Sequence, residues 1–233
     1  MPSLPDLSIG TRHTPVTFAG RSPIAPIAPI VFMAVSDTCT REALGTVVHD
    51  MGWRAKELSS ARALLSEPVA AVPSCLVLDV SLPTYSDLYF QKCLAAERAG
   101  TPVVCITGVA DVLTTVRAMK AGAVNVLPKP VRSDLLVDAI QDALAQSEGI
   151  LRESMASRSI HESYATLSPR EREVMALVAS GLLNKQVGGK LGISEITVKA
   201  HRGQVMRKMK TRSFVDLVKM AEKLRLAAPA SAS

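Results

Sequence analysis

At 233 residues the chain has room for two domains and a linker, and no run approaches the roughly 18 uncharged apolar residues of a membrane-crossing helix. No membrane partner is expected, and the four cysteines, Cys39, Cys75, Cys93 and Cys105, form no CxxC pair, which argues against a zinc site or disulfide framework and suits a reducing cytoplasm. The formal net charge of +6 is uneven: Leu167 to Leu226 carries 13 Lys and Arg against 5 Asp and Glu, while the rest carries 14 against 16.

The first 29 residues hold prolines at 2, 5, 15, 23, 26 and 29 and the repeat Ile24-Ala25-Pro26-Ile27-Ala28-Pro29. Such spacing forbids a regular helix, so residues 1–29 are expected to form a disordered, Pro-rich tail. Its simplest role is a passive extension, with a partner-binding arm as the alternative. No uninterrupted apolar core follows a basic start, so a secretory signal is not expected.

From Ile30 to Ser147 short apolar runs alternate with amphipathic segments. Ile30–Val35, Trp53–Leu58, Cys75–Asp79, Val103–Thr107 and Asn125–Leu127 read as five strands. Four helical segments lie between them, and Ser133–Ala145 makes a fifth. This alternation predicts parallel strands with helices on both faces and a ligand site beyond the strands' carboxyl ends. Polar residues stand where apolar strands stop: Asp79, Thr107 and, just past the last strand, Lys129. A carboxylate, a hydroxyl and an ammonium are the parts of an aspartyl-phosphate switch: nucleophile, moving hydrogen-bond donor and neutralising cation. A purely structural Asp79–Lys129 ion pair is the plainer alternative. Cys75 and Cys105 lie in apolar strands as small core residues. Cys39 is a candidate exposed thiol, with nothing further to support redox sensing.

Residues 148–165 read as a polar, partly helical linker that extends the preceding helix, with Ile150, Leu151 and Met155 on one face. A helix then starts at Ser168-Pro169, with Glu171 placed to close a capping box. Val174, Leu177 and Val178 repeat at helical spacing before a break at Gly181. A short helix, Asn184–Leu191, is followed by Gly192-Ile193-Ser194, where glycine suits a positive φ and serine caps the next helix. On that helix Val198, Val205 and Met209 share an apolar face, while Lys199, Arg202, Arg207 and Lys208 lie elsewhere. This is the outline of a helix-turn-helix. A small helical bundle with a solvated charged face is the bland alternative, but the local excess of positive charge favours a phosphate-binding surface. Gly188 and Gly189 each cost about 1 kcal/mol against alanine in a helix interior, so the short helix is expected to be only marginally ordered without DNA.

The stretches LSPREREV, GLLNKQ and LGISEITVKAHRGQVMRKM resemble the LuxR-type helix-turn-helix of FixJ/NarL-family response regulators. LVLDVSLP, VVCITG and TVRAMKAGAVNVLPKP resemble the receiver domain of two-component response regulators, over roughly residues 30–147. The resemblance implies an α/β receiver, a doubly wound, flavodoxin-like five-stranded parallel sheet, followed by an all-α four-helix LuxR-type domain over residues 166–228. It implies Asp79 as phosphoacceptor, Thr107 as switch hydroxyl and Lys129, followed by Pro130, as the family's lysine. It also implies a dimer on two half-sites, with Lys199, Ala200 and Gly203 facing bases and Arg202 adding a donor suited to guanine. Asn184, Lys185, Ser194, Thr197 and His201 fall to phosphates or helix positioning, and Arg207 and Lys208 to backbone charge. A capping or packing role for His201 is an equal alternative. The fourth helix, Phe214–Leu226, carries a stripe of Leu217, Met220, Ala221 and Leu224 suited to a dimer partner.

Three departures oppose phosphate switching. Val35 and Ser36 stand where the family places the two acidic residues that hold Mg²⁺, and valine offers a hard cation no oxygen. Val126 replaces the aromatic ring that rotates on switching. Thr84 and Asp87 replace loop glycines after Asp79. Mg²⁺ binding is therefore expected to be weak or absent, and no other cofactor or metal is expected. The sequence reads as a cytoplasmic DNA-binding regulator with an atypical receiver, whose partners are double-stranded DNA, a second copy, and a histidine kinase or another regulator. The alternatives are a conventional regulator activated at Asp79 and a protein-interaction module that antagonises a partner regulator. No His/Asp/Ser constellation or glycine-rich phosphate loop suggests an enzyme.

Overall fold

The computed structural model describes residues 28–80, 97–108 and 112–226. The proline-rich stretch up to residue 27, Thr84, Asp87 and Cys93 lie outside the described residues. Five strands form one parallel sheet: β1 (Ile30–Ala34), β2 (Arg54–Glu57), β3 (Ser74–Asp79), β4 (Val103–Thr107) and β5 (Ala123–Pro128), in the order β2-β1-β3-β4-β5. β3 and β4 are buried along their whole length, as strands covered on both faces must be. Alternate side chains divide the core. Val31, Met33, Val77, Val104 and Ile106 pack with Leu44 and Val48 of α1 (Thr38–Asp50) and with Leu136 and Ile140 of α4 (Ser133–Ala165). Phe32, Ala34, Leu76, Leu78 and Cys105 pack on the other face with Leu64 of α2 (Ala63–Ser66) and Ala118 of α3 (Val112–Lys120). β2 is the exposed edge, where the charged residues Arg54, Lys56 and Glu57 discourage pairing with another chain.

The strand order changes direction at β1 and β3, and the crevice beyond their carboxyl ends is where such sheets hold ligands. Ser36, just past β1, and Asp79, at the end of β3, meet there.

The linker extends the receiver's last helix as expected, and is helical throughout rather than in part. α4 runs 33 residues from Ser133 to Ala165 without a break. Ser147 fastens its middle: the buried hydroxyl accepts from the Ser74 N–H at 3.0 Å and donates to the Gly100 carbonyl at 2.6 Å. Past the sheet, Arg158 pairs with Glu162 at i,i+4 spacing, which supports a helix with little to pack against. Its last turns lend Ile160 and Tyr164 to the core of the C-terminal domain.

That domain contains α5 (Pro169–Ala179), α6 (Asn184–Leu191), α7 (Glu195–Lys208) and α8 (Phe214–Lys223). The capping box forms as expected: Glu171 N–H donates to the Ser168 hydroxyl at 3.2 Å, and Ser168 N–H donates to the Glu171 carboxylate at 2.7 Å. Gly192 takes φ +67° at the turn, and Ser194 caps α7 by accepting from Thr197 N–H at 3.1 Å. α8 ends at Lys223, short of the expected Leu226. Its apolar stripe is corrected too. Leu217 and Ala221 are buried in the domain's own core and Met220 and Leu224, half-buried, pack against it, so the inner half of the stripe is used within the chain. Among the described residues of the receiver, α3 exposes four large apolar side chains, Val112, Leu113, Val116 and Met119.

The two glycines of α6 part company. A Cβ on Gly188 would stand 2.7 Å from the Ile193 carbonyl oxygen, because the turn into α7 crosses directly over it, whereas one on Gly189 meets nothing within 4 Å. Gly189→Ala is therefore expected to stabilise the domain by about 1 kcal/mol through helix propensity. Gly188→Ala is expected to destabilise it by a similar or larger amount, since backbone must move. Thermal unfolding of the two variants checks the opposite signs.

Candidate phosphoacceptor pocket and nucleic-acid interface

The end of β3 delivers Asp79 into the crevice with 0% of its surface exposed. Its Oδ2 accepts from the Ser36 hydroxyl at 2.9 Å and from the Lys129 ammonium at 2.7 Å. Lys129 follows β5 and is aligned by its backbone N–H, which donates to the Thr107 carbonyl at 2.8 Å. Thr107 is itself buried at the end of β4. Three strand ends thus bring together the residues expected to share one pocket: Asp79, Thr107 and Lys129.

The acidic-pair positions are filled by groups of another kind. Val35 is buried in the apolar core between sheet and helices. Ser36 contributes a neutral hydroxyl. Asp37, one step further, caps α1: it accepts from Thr40 N–H at 2.9 Å and also from the Thr40 hydroxyl. The Thr40 hydroxyl bond, then the Thr40 amide, hold the Asp37 carboxyl below its ordinary range, with the Lys129 charge a smaller contribution. Arg41 was not foreseen at this site. Its guanidinium donates to the Val35 carbonyl at 3.3 Å and pairs with Glu57 at 3.6 Å, which sets an ion pair beside the end of β1. With Val35 and Ser36 at these positions, Asp79 is the carboxylate at the strand ends, whereas Mg²⁺ is ordinarily held through one or two carboxylates with waters in octahedral geometry. Among the described residues no group of three His, Cys, Asp or Glu side chains is placed to hold a metal ion. Val126 is half-buried against the sheet and supplies no ring to rotate. Burial pushes the Cys75 thiol up to about 12, which leaves it protonated and inert, whereas Cys39 is exposed at the start of α1.

In the C-terminal domain, Val198 and Val205 anchor α7 to the core, and its opposite side faces solvent. Lys199, Ala200 and Gly203 are exposed there as expected, with Lys199 3.3 Å from Glu195. Lys185 is exposed on the first turn of α6. Ser194 and Thr197 hold each other by a 2.8 Å hydroxyl contact at the start of α7, and His201 is half-buried on its flank. Arg207 is exposed and hydrogen-bonded to Gln204.

Two expectations change. Arg202 does not stand out toward a base: its guanidinium lies over the Phe214 ring at 4.6 Å, and it approaches Asn184 Oδ1 at 3.5 Å. It fastens α7 to α8 and α6, a cation–π role that desolvates it. Lys208, expected to add charge for DNA, is bound to the nearly buried Glu171 carboxylate at 2.6 Å and to the Thr166 carbonyl at 3.3 Å. Sequence spacing overlooked Ile196, a large apolar side chain that is 79% exposed in the first turn of α7.

A doubly wound sheet presenting an aspartate at its switch point, joined by a helix to a basic helix-turn-helix, defines a DNA-binding response regulator. Residues 31–141 match the response regulator receiver domain, and residues 165–221 match the bacterial regulatory proteins of the luxR family. Nodulation protein W of Bradyrhizobium diazoefficiens is 43% identical over 199 residues, covering 85% of this chain and 88% of that protein. The transcriptional regulatory protein FixJ of Azorhizobium caulinodans is 37% identical, covering 79% and 88%. The solved structure of the response regulator StyR superposes with a TM-score of 0.70 at 36% identity, over 84% of this chain and 99% of that one. The chain belongs to the response regulators that couple a receiver to a LuxR-type DNA-binding domain.

Proposed function

We propose that this response regulator is a cytoplasmic, homodimeric transcription factor whose receiver works without Mg²⁺-dependent phosphorylation of Asp79. One observation carries the reading: the Asp79 carboxylate is bound by the Ser36 hydroxyl and the Lys129 ammonium, Val35 is buried in the core, and the next acid, Asp37, is engaged in capping α1. Phosphoryl transfer relies on cations to neutralise the charge that develops, and a site with one carboxylate recruits a divalent ion poorly. Signal then enters through dimerisation or a protein partner, and the domain organisation is a receiver at 30–147, a helical linker at 148–165 and a DNA-binding domain at 166–228. No helix among the described residues is long and apolar enough to cross a membrane, in keeping with this reading.

The conventional alternative draws on the intact Asp79–Lys129 contact, since that lysine is placed to neutralise a phosphoryl oxygen. Incubation with Mg²⁺ and acetyl phosphate or beryllofluoride separates the two. The expected outcome is unchanged oligomeric state by gel filtration and unchanged affinity for promoter fragments by gel shift. A strong response that Asp79→Asn abolishes would establish the conventional mechanism instead.

A further inference from the structure

On α7 the buried residues Val198, Val205 and Met209 define the side that faces the core. At about 100° per residue, the row directly opposite runs through Ile196, Ala200, Gly203 and Arg207. All four are exposed, Ile196 to 79%. The outermost edge of this helix is therefore apolar and shallow over its first two turns, with Lys199 beside it and Arg207 at its far end.

Two features of the row have no explanation within the chain. Ile196 touches no core cluster, although a branched apolar side chain gains nothing from water. Gly203 sits in mid-helix, yet a Cβ there would meet nothing within 4 Å, so no internal contact requires glycine. A surface kept apolar at one end and bare at the next turn is shaped for close approach by something outside. Cations beside and beyond the row favour a polyanion over a protein's apolar patch. The second helix of a helix-turn-helix places its N-terminal residues against base edges in the major groove. There the one apolar group a base presents is the C5-methyl of thymine.

We propose that Ile196 is a specificity-determining residue that reads a thymine methyl in each half-site, with Ala200 and Gly203 keeping the helix near enough for the contact. The inference rests on the DNA-binding reading above. Because Arg202 is held over Phe214, discrimination on this face falls to apolar contact with Ile196 and to hydrogen bonding by Lys199.

The test begins with selection of duplexes from a random library by the full-length protein. Each thymine of the selected half-site is then replaced, one at a time, by deoxyuridine, which removes only the methyl. One position is expected to lose about 4-fold in affinity, the loss for a single buried methyl-sized group. Ile196→Ala is expected to abolish that loss and relax the base preference at the same position while leaving the salt dependence unchanged, and Ile196→Val is expected to retain both. The side chain's exposure leaves the fold intact in these variants, which thermal unfolding verifies. A selected site whose thymine preferences and deoxyuridine losses persist in Ile196→Ala overturns the proposal alone. Failure to select any sequence overturns the DNA-binding reading and this proposal with it.

Discussion

Lys208→Ala is expected to destabilise the C-terminal domain by about 2 kcal/mol, lowering its unfolding midpoint by on the order of 10 °C. The reason is Glu171, whose side chain is 7% exposed and accepts from Lys208 at 2.6 Å and from Ser168 N–H at 2.7 Å. Removing the lysine leaves a nearly buried carboxylate with its charge uncompensated. Breaking a fully buried pair costs roughly 3–5 kcal/mol, and the figure is reduced here because the lysine is 33% exposed and solvent screens the pair. The contact also ties the end of α7 to the start of α5, so its loss loosens the frame that presents the recognition helix. The Lys208 hydrogen bond first, and the Ser168 amide second, hold the Glu171 carboxyl below its ordinary range. A depressed folded-state value means that the stabilisation is complete above the unfolded glutamate value of about 4.3 and is lost as pH falls through the folded one. Wild-type stability should thus decline on acidification below that point more steeply than that of Lys208→Ala. Thermal denaturation of both proteins across that range decides it. If Lys208→Ala unfolds like the wild type and only flattens the salt dependence of DNA binding, the lysine is a phosphate contact after all.

Periodic apolar residues made most of the fold legible. β3 and β4, covered on both faces, read as unbroken apolar runs and were bounded to within a residue. β2 was less clear because its four residues are exposed, and only the flanking Trp53 and Leu58 carry an apolar signal. β5 extends on both sides of the expected Asn125–Leu127 because Asn125 interrupts the run, its side chain accepting from the Val126 N–H at 2.8 Å. That α4 continues into the linker is legible, but its full helicity is not, because Gly149 and the polar residues around it weaken the apolar pattern. What fastens the helix is Ser147, bound to Ser74 and Gly100, which are 73 and 47 residues away in sequence.

The site shows the same division. Strand-end chemistry placed Asp79, Thr107 and Lys129 together, because β-strand direction fixes which end faces the crevice. The direction of long side chains did not follow from spacing. Spacing alone makes Arg202 and Lys208 outward cations, yet each turns to a partner on another helix, Phe214 and Glu171. An apolar stripe such as Leu217–Leu224 likewise specifies burial without saying whether the covering surface belongs to the same chain. Ile196 is the converse case, since a helix that packs on one side reads the same whether or not its outer face is polar.

Ser36→Asp is expected to make the receiver respond to Mg²⁺. The serine hydroxyl is 2.9 Å from Asp79 Oδ2, so an aspartate there sets a second carboxylate against the first. Like charges that close repel, and the variant without divalent cation should be less stable than the wild type. The same pair supplies two anionic oxygen donors where valine offers none and serine only a neutral hydroxyl, so added Mg²⁺ should reverse the loss. At a concentration 100 times the dissociation constant, ligand binding stabilises by about 2.7 kcal/mol, a midpoint increase of several degrees for a domain of this size. The wild type should show little change over the same titration. Labelling of Asp79 by acetyl phosphate should rise about 10-fold or more in the variant, since each 1.4 kcal/mol of charge stabilisation in the transition state is tenfold in rate. Asp79→Asn in the same background should remove the labelling. Val35 would still deny the site its other acid, so the gain should stop short of a complete switch. Equal Mg²⁺ stabilisation of wild type and variant would show that the natural pocket already holds the ion, and the receiver would then have to be regarded as competent for phosphorylation.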